Sequence, residues 1–399
     1  MSKQPSPIHV VTFSTLYPNS EQPNHGVFVE NRLRHLISTG EVASRVVAPV
    51  GWVPFDSPIF GRHGANARVP SRETRFGLSI LHPRYLIIPK IGMTVAPSLL
   101  FAGALRALKR LQVEQDFDLI DAHYFYPDGV AAAMLGWALS KPVVITARGT
   151  DLNLIPRYPL PRSLIQRTVP HAAHMIAVSQ ALKDVLVSLG ASPEAVTVLR
   201  NGVDLRVFNP EGRDEARKRL QVSGRALISV GQLIERKSHD LVIAAMALLP
   251  EYTLLIVGEG PERSALATQI ERLGLERRVR LVGPVPHERL QEFYVAADAL
   301  VLASSREGWP NVLLEAMACG TPAIASNIWG NPEVVSTPAA GRLMIERSAA
   351  GIAEAVRQLF LSPPNRAETR RYAEQYSWDQ TSAGQIRIFG QILSREHRP

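Results

Sequence analysis

Short runs of β-branched and aliphatic residues alternate along this chain with longer segments whose apolar positions recur every three to four residues. In the first half IHVVTFS, SRVVAPV, FDLIDAH, KPVVITA, HMIAVS and AVTVLRNG read as strands. HGVFVENRLRHLIS, DGVAAAMLGWALS and SQALKDVLVSLG have the helical period, with Ser179 or Gln180 placed to cap the third. A second series starts at RALISVG and continues through TLLIVGEG, VRLVG, ALVLAS and TPAIAS, each followed or preceded by a helical pattern such as KSHDLVIAAMALLP, ERSALATQIERLG, HERLQEFYVAA or NVLLEAMACG. Strand and helix alternating in two series predict an α/β protein with two doubly wound parallel sheets covered by helices. NGVDLRVFNPEGRDEARKRL, rich in turn residues and charge, reads as the linker. The expected division is 1–203, 204–375 and a last helical stretch, 376–399, with Trp378 near its start.

Open parallel sheets bind ligands beyond the carboxyl ends of their strands. The residues to inspect are therefore His123, the run Arg148-Gly149-Thr150-Asp151, residues 232–237, Gly258-Glu259-Gly260, Gly283-Pro284 and residues 304–311.

Composition narrows the class. With 399 residues, 46% hydrophobic and 20% charged, the chain can bury large cores. Its one cysteine, Cys319, excludes an intrachain disulfide and fits a reducing compartment. The opening MSKQPSPIHVVTFSTLYPNS lacks the apolar stretch of a signal peptide, and the most apolar window, residues 91–108, is interrupted by Gly92, Pro97, Gly103 and Arg106. The expectation is a cytoplasmic protein, either free or peripheral on the inner face of the plasma membrane. Residues 1–110 hold 13 Lys/Arg against 5 Asp/Glu, a balance of +8, while the rest carries 31 of each sign. Such a basic quarter suits an anionic partner such as a membrane surface, or is a solvated face, as the arginines between Arg62 and Lys90 could equally be.

Several motifs are weak. VGEGPERSAL supplies Gly258 and Gly260 of a dinucleotide fingerprint but puts Arg263 at the third glycine, and a tight turn explains the pair as well. No P-loop stretch is present. Asp116-Phe117-Asp118 has a metal-binding spacing but precedes its strand, so turn roles fit better and no metal site is expected. Arg236 and Lys237 form either a diphosphate clamp or a pair of surface cations. His123 is either a core histidine or a catalytic one; Asp151 either holds it or a sugar hydroxyl, or caps the turn before Leu152.

EGWPNVLLEAMACGTP places Glu307 and Glu315 eight positions apart, roughly 80° around one continuous helix. Pro310 between them suits a helix start, putting Glu307 in the preceding loop and Glu315 about a turn inside. Free backbone N–H groups at Pro310-Asn311 favour an anion or a hydroxyl, and carboxylates accept from vicinal hydroxyls. Together with nearby cations, this suits a sugar nucleotide. Read alone, the motif is also a helix with one dipole-favoured glutamate and one solvated glutamate.

The run EGWPNVLLEAMACGTPAIAS resembles the E-x7-E signature of family 4 of the retaining GT-B glycosyltransferases. The resemblance extends over nearly the whole chain, through NHGVFVENRLRHL, VTVLRNGVDLRVFNP, VGQLIERKSHDLVIAA, LLIVGEGPERSAL and AADALVLASSREGWP. It implies two Rossmann-like domains facing a cleft, the first on the acceptor side and the second holding the donor, with the helix around Trp378 crossing back to the first. It implies Lys237 and Arg236 on the diphosphate, and Glu315 on the ribose. Glu307, with the backbone of Gly308, Trp309, Pro310 and Asn311, would face the transferred sugar, with Gly258 and Gly283 in the surrounding donor loops. His123 would lie close to the donor sugar, Gly26 near the phosphates, and Arg148 and Asp151 on the acceptor or sugar side.

The chain departs from the family pattern at four places. Gln232 stands for the arginine of "VGRL", Ser238 for the glycine after the lysine, Arg148 for the histidine of "HG.D", and Trp329 for the first glycine of "GG.PE". The expected function is retaining, metal-independent transfer of a hexose or N-acetylhexosamine from a UDP- or GDP-sugar to a glycan or lipid-linked acceptor, without a cofactor, in cell-surface polysaccharide or glycolipid assembly. The catalytic set is His123, Glu307, Lys237 and Arg236. No nucleic-acid partner is expected. A sugar-nucleotide epimerase of the same fold and a non-catalytic nucleotide-sugar-binding protein are the alternatives.

Overall fold

The computed structural model describes residues 6–52, 66–88 and 92–396. The chain forms two units: residues 1–200 with 378–399, and residues 201–377.

In the first unit the strands are β1 (Ile8–Phe13), β2 (Val42–Val47), β3 (Val50–Trp52), β4 (Arg72–Arg75), β5 (Leu78–Leu81), β6 (Arg84–Leu86), β7 (Leu119–His123), β8 (Val143–Ala147), β9 (His174–Ala177) and β10 (Val196–Val198). Eight of them make one sheet in the order β10-β9-β8-β7-β1-β2-β5-β4, parallel except for the β4/β5 hairpin. β3 and β6 pair separately. Every residue of β7 and β8 is buried, which is why LIDAH and VVITA are written mostly in apolar residues. Helix Val27–Ile37 buries Val29, Leu33 and Leu36, and Ser179 caps helix Gln180–Ser188 by accepting from the Leu182 N–H.

The last helix, Trp378–Glu396, belongs to this unit. Ile388, Phe389 and Ile392 join Val10, Leu36, Leu119, Val144 and Ile176 in one core, and the Trp378 ring stacks on His35 at 5.3 Å. The β4/β5 hairpin escapes sequence reading, because RETR alternates exposed and half-buried positions at the sheet edge and so lacks a strand's apolar signature. Residues 92–108 begin one long helix, Gly92–Glu114. Among the described residues no helix is long and apolar enough to cross a membrane.

The second unit contains β11 (Arg225–Val230), β12 (Tyr252–Val257), β13 (Val279–Gly283), β14 (Ala299–Leu302), β15 (Ala323–Ser326) and β16 (Gly341–Met344). They lie in the order β13-β12-β11-β14-β15-β16, all parallel. Counted from β11 this is 3-2-1-4-5-6, the dinucleotide-fold order, whose direction reverses between β11 and β14. Its core packs Leu227, Leu254, Ile256 and Val301 against Val242, Met246, Ile352 and Val356 from the flanking helices.

The basic quarter is less open than its charge count suggests. Arg75 pairs with Glu30 at 2.8 Å, Arg68 with Glu21 at 2.7 Å, and Arg84 donates to the Asn66 and Val69 carbonyls. Arg62 and Lys90 lie outside the described residues. Asp116 and Asp118 take turn roles, Asp116 pairing with Lys141 and Asp118 accepting from the His9 N–H.

Candidate active site

The loops after β11 and β14 meet where the strand order reverses. The Ser305 N–H donates to the Arg236 carbonyl at 2.9 Å, and Arg236 Nη1 donates to the Arg306 carbonyl at 2.8 Å. Between these rungs Lys237 Nζ lies 2.7 Å and Arg236 Nη1 3.4 Å from Glu307 Oε1. Burial alone would push the Glu307 carboxyl up; Lys237 and Arg236 outweigh it and hold the group below the usual carboxylate range. The two cations and the motif glutamate are thus one ionic cluster.

The loops lie this close because glycines let their backbones touch. A Cβ on Gly258 would sit 1.8 Å from the Gly231 carbonyl oxygen, and one on Gly260 2.4 Å from that of Leu233. The Gly258 N–H donates to the Gly283 carbonyl at 2.9 Å. Gly258 and Gly260 therefore serve close packing of loop on loop, the simpler of the two readings of that pair.

Pro310 is the residue before helix Asn311–Ala318, so Glu307 lies in the loop and Glu315 inside the helix. Glu315 Oε1 accepts from His287 Nε2 at 3.0 Å and Oε2 from the Tyr294 hydroxyl at 2.8 Å. Burial would lower the His287 pKa, but Glu315 raises it above the ordinary value. Sequence reading missed His287 and Tyr294. They stand on a different strand-to-helix connection, and no spacing in the sequence relates them to Glu315.

The Trp309 side chain has a packing role. Its indole N–H donates to the Asn201 carbonyl at 3.1 Å, its ring lies 5.8 Å from that of Tyr376, and it is buried. Asn201 Nδ2 also donates to Asn311 Oδ1 at 3.2 Å. The side chain thus fastens the helix start to the segments where the chain enters and leaves this unit; an apolar body with one polar tip suits that task.

Two of the departures from glycine keep glycine's backbone. Ser238 has φ 51° and Trp329 φ 47°, both left-handed. Such conformations cost a non-glycine residue roughly 1–2 kcal/mol, and strain of this kind gathers at functional loops. Ser238 Oγ accepts from Arg347 Nη1 at 2.9 Å. Gln232, at the position of the family arginine, is exposed.

In the first unit the corresponding loops follow β1, β7 and β8. Gly26 has φ 74°, and a Cβ there would meet the Leu16 carbonyl at 2.3 Å. Asp128 accepts from the Thr15 N–H at 2.7 Å and from the Thr15 hydroxyl, joining the first two loops. Burial pushes its carboxyl up to about 7. Asp151 accepts from the N–H groups of Phe125 at 2.6 Å, Gly149 at 2.6 Å and Arg148 at 3.1 Å. It is the turn cap and a tie between loops; its acceptors are turned to backbone, not to His123.

His123 is held at both ring nitrogens. Its Nδ1 is 2.6 Å from Arg148 Nη2 and its Nε2 is 3.3 Å from Asp121 Oδ2. Burial, set against the attraction of Asp121, lowers its pKa to about 4. The buried imidazole thus has both ring nitrogens engaged by side chains of its own unit. The buried Arg148 guanidinium, 5.5 Å from the centre of the Phe28 ring, is what the family's histidine has become.

Residues 212–376 match the family model described as glycosyl transferases group 1, and residues 63–207 the one described as glycosyltransferase family 4. The chain is 30% identical over 366 residues to TuaC of Bacillus subtilis, a glycosyltransferase named for teichuronic acid biosynthesis, covering 87% of this chain and 88% of that protein. Its fold is similar to that of sucrose-phosphate synthase from Thermosynechococcus elongatus, with a TM-score of 0.78, 19% identity and 98% and 100% of the two chains covered. It is also similar to that of Anabaena HepE in complex with UDP, with a TM-score of 0.71, 19% identity and 96% and 100% covered.

Proposed function

The chain belongs to family 4 of the GT-B glycosyltransferases, and from that premise we propose that it transfers a hexose or N-acetylhexosamine from a UDP- or GDP-sugar, with retention and without a metal, to a glycan or lipid-linked acceptor. The observation that carries this reading is the Lys237–Glu307–Arg236 cluster at the strand-order reversal, whose Glu307 lies in the loop just before the helix that holds Glu315. Lys237 and Arg236 take the diphosphate, Glu307 with the backbone of 308–311 the sugar, and Glu315 the ribose. Each oxygen of Glu315 already accepts one hydrogen bond and has a second lone pair for a ribose hydroxyl.

In this scheme the bond between the anomeric carbon and the diphosphate oxygen breaks. The bond to the acceptor oxygen forms on the same face, and the acceptor's proton passes to the leaving phosphate oxygen. The two cations stabilise the leaving charge. No protein base is required, which agrees with the engaged nitrogens of His123.

The UDP bound to HepE and the pathway for which TuaC is named support a nucleotide-sugar donor and a role in cell-surface polysaccharide assembly. A peripheral position at the cytoplasmic face of the membrane fits helix Gly92–Glu114. That helix buries Leu100, Ala104, Leu108 and Leu111 and exposes Arg106, Lys109, Arg110 and Val113 on the opposite side. Sedimentation with anionic but not zwitterionic vesicles, weakened by salt and by reversing these three charges, is the expected result.

A thermal-shift screen across UDP- and GDP-sugars identifies the donor. Transfer in EDTA, with the product anomer read by NMR, then tests the reaction. An inverted product, or an epimerised donor formed without acceptor, would overturn it.

A further inference from the structure

Arg32 and Arg148 stand at the two ends of a line of buried side chains in the first unit. Arg32 Nε donates to Gln385 Oε1 at 2.9 Å, Gln385 Nε2 to Asp121 Oδ2 at 2.7 Å, and Asp121 Oδ2 lies 3.3 Å from His123 Nε2. His123 Nδ1 lies 2.6 Å from Arg148 Nη2. Arg32, Gln385, Asp121 and His123 are at most 1% exposed, and Arg148 is 8% exposed.

A guanidinium has donors and no acceptor. Facing Arg32, the amide of Gln385 must therefore present its oxygen, which turns its NH2 to Asp121. Facing Arg148, the Nδ1 of His123 must accept. A neutral imidazole has one donor and one acceptor, so Nε2 carries the hydrogen and directs it to Asp121. Every link points toward Asp121 Oδ2, and reversing any one of them sets donor against donor. The carbonyl of His123 accepts from the Ser14 hydroxyl at 3.0 Å, so the residue is fixed at its backbone as well.

We propose that Gln385, oriented by Arg32, is a positioning residue that holds the Asp121 carboxylate, and through it the ring plane of the Nε2–H form of His123, from the C-terminal helix. The proposal rests on reading the β7 and β8 loops as part of the transferase site. Rotating the His123 ring would also release Arg148, the cation where the family has histidine. A residue more than 250 positions away in sequence thereby sets how these loops face the substrate.

The test uses the full chain labelled with 15N-histidine, His123 being assigned by the signal lost in His123→Gln. Long-range 1H–15N spectra near pH 7 should show His123 with a protonated Nε2 and an unprotonated Nδ1. In Gln385→Met, which is close in shape but neither donates nor accepts, the tautomer set by Arg148 should remain, but both His123 nitrogen shifts should move as Asp121 loses its support. Transfer kcat should fall about ten-fold, the scale of one positioning hydrogen bond, with donor KM within two-fold. Gln385→Glu keeps an acceptor for Arg32 but sets a second carboxyl against Asp121, and should move the same shifts. A wild-type His123 protonated at Nδ1 overturns the proposal even if neither variant folds. So does a folded variant that loses stability or kcat while both His123 nitrogen shifts stay in place. The spectra need no substrate, so they fail or succeed independently of the transferase reading.

Discussion

Lys237 and Glu307 are 70 residues apart in the chain and 2.7 Å apart in space, joined across the point where the second sheet reverses its strand order. Their contact makes the donor loops one object. A ligand that engages the lysine must also deal with the glutamate.

Lys237→Met should therefore do two things. Transfer should fall by about 100-fold or more. Stability should fall by on the order of 3 kcal/mol, because the buried Glu307 carboxylate loses the nearer of its two cations. The double variant Lys237→Met/Glu307→Gln should regain most of that stability and none of the activity. Urea unfolding beside a transfer assay reads both, and an inactive double variant as unstable as the single one would speak against the pairing.

Glu315→Gln should weaken UDP binding about ten-fold, because an amide NH2 replaces one of the two charged oxygens that would accept from the ribose hydroxyls. Calorimetry measures it. Stability carries a second sign. The folded pKa of His287 is raised above 6.5, so the pair's contribution is complete below that value and fades as pH rises through the folded pKa. The stability gap between wild type and Glu315→Gln should narrow toward alkaline pH.

Asp128 behaves oppositely to most carboxylates. Its pKa rises from 3.8 unfolded to about 7 folded, so its favourable contribution is present below 3.8 and is lost as pH climbs toward 7. An asparagine at this position would keep an acceptor for the Thr15 N–H and offer a donor to the Thr15 hydroxyl. Asp128→Asn should therefore gain on wild type between about pH 4 and pH 7 in denaturant midpoints. A constant difference would show that burial does not govern this group.

Glycines with positive φ are not equivalent. Gly274→Ala meets open space at φ 63° and should cost about 1 kcal/mol. Gly258→Ala drives a methyl group into the Gly231 carbonyl and should cost at least about 3 kcal/mol, with loss of donor binding. Equal melting temperatures for the two variants would contradict the loop packing.

The alternation of strands and helices was legible because buried parallel strands are written in nearly unbroken apolar runs such as VVITA and ALVL. The E-x7-E pair and the two cations were legible because they are local motifs at strand ends. What escaped was decided by partners far away in sequence. The edge strand Arg72–Arg75 has no apolar run to show. The anchoring of the Trp309 side chain shows only when Asn201 and Tyr376 are found against it. His123 reads as either a core or a catalytic histidine, and its contacts with Arg148 and Asp121 show only in the fold. Nothing in either stretch encodes those neighbours.

The helix Trp378–Glu396 supplies Ile388, Phe389 and Ile392 to the core of the unit that begins the chain. On the ribosome, the first unit to be started is therefore the last to be finished. Residues 201–377 can close their own core while the earlier sheet still waits, one face uncovered, for a helix not yet synthesised. Nascent-chain proteolysis should find the middle of this protein protected before its beginning.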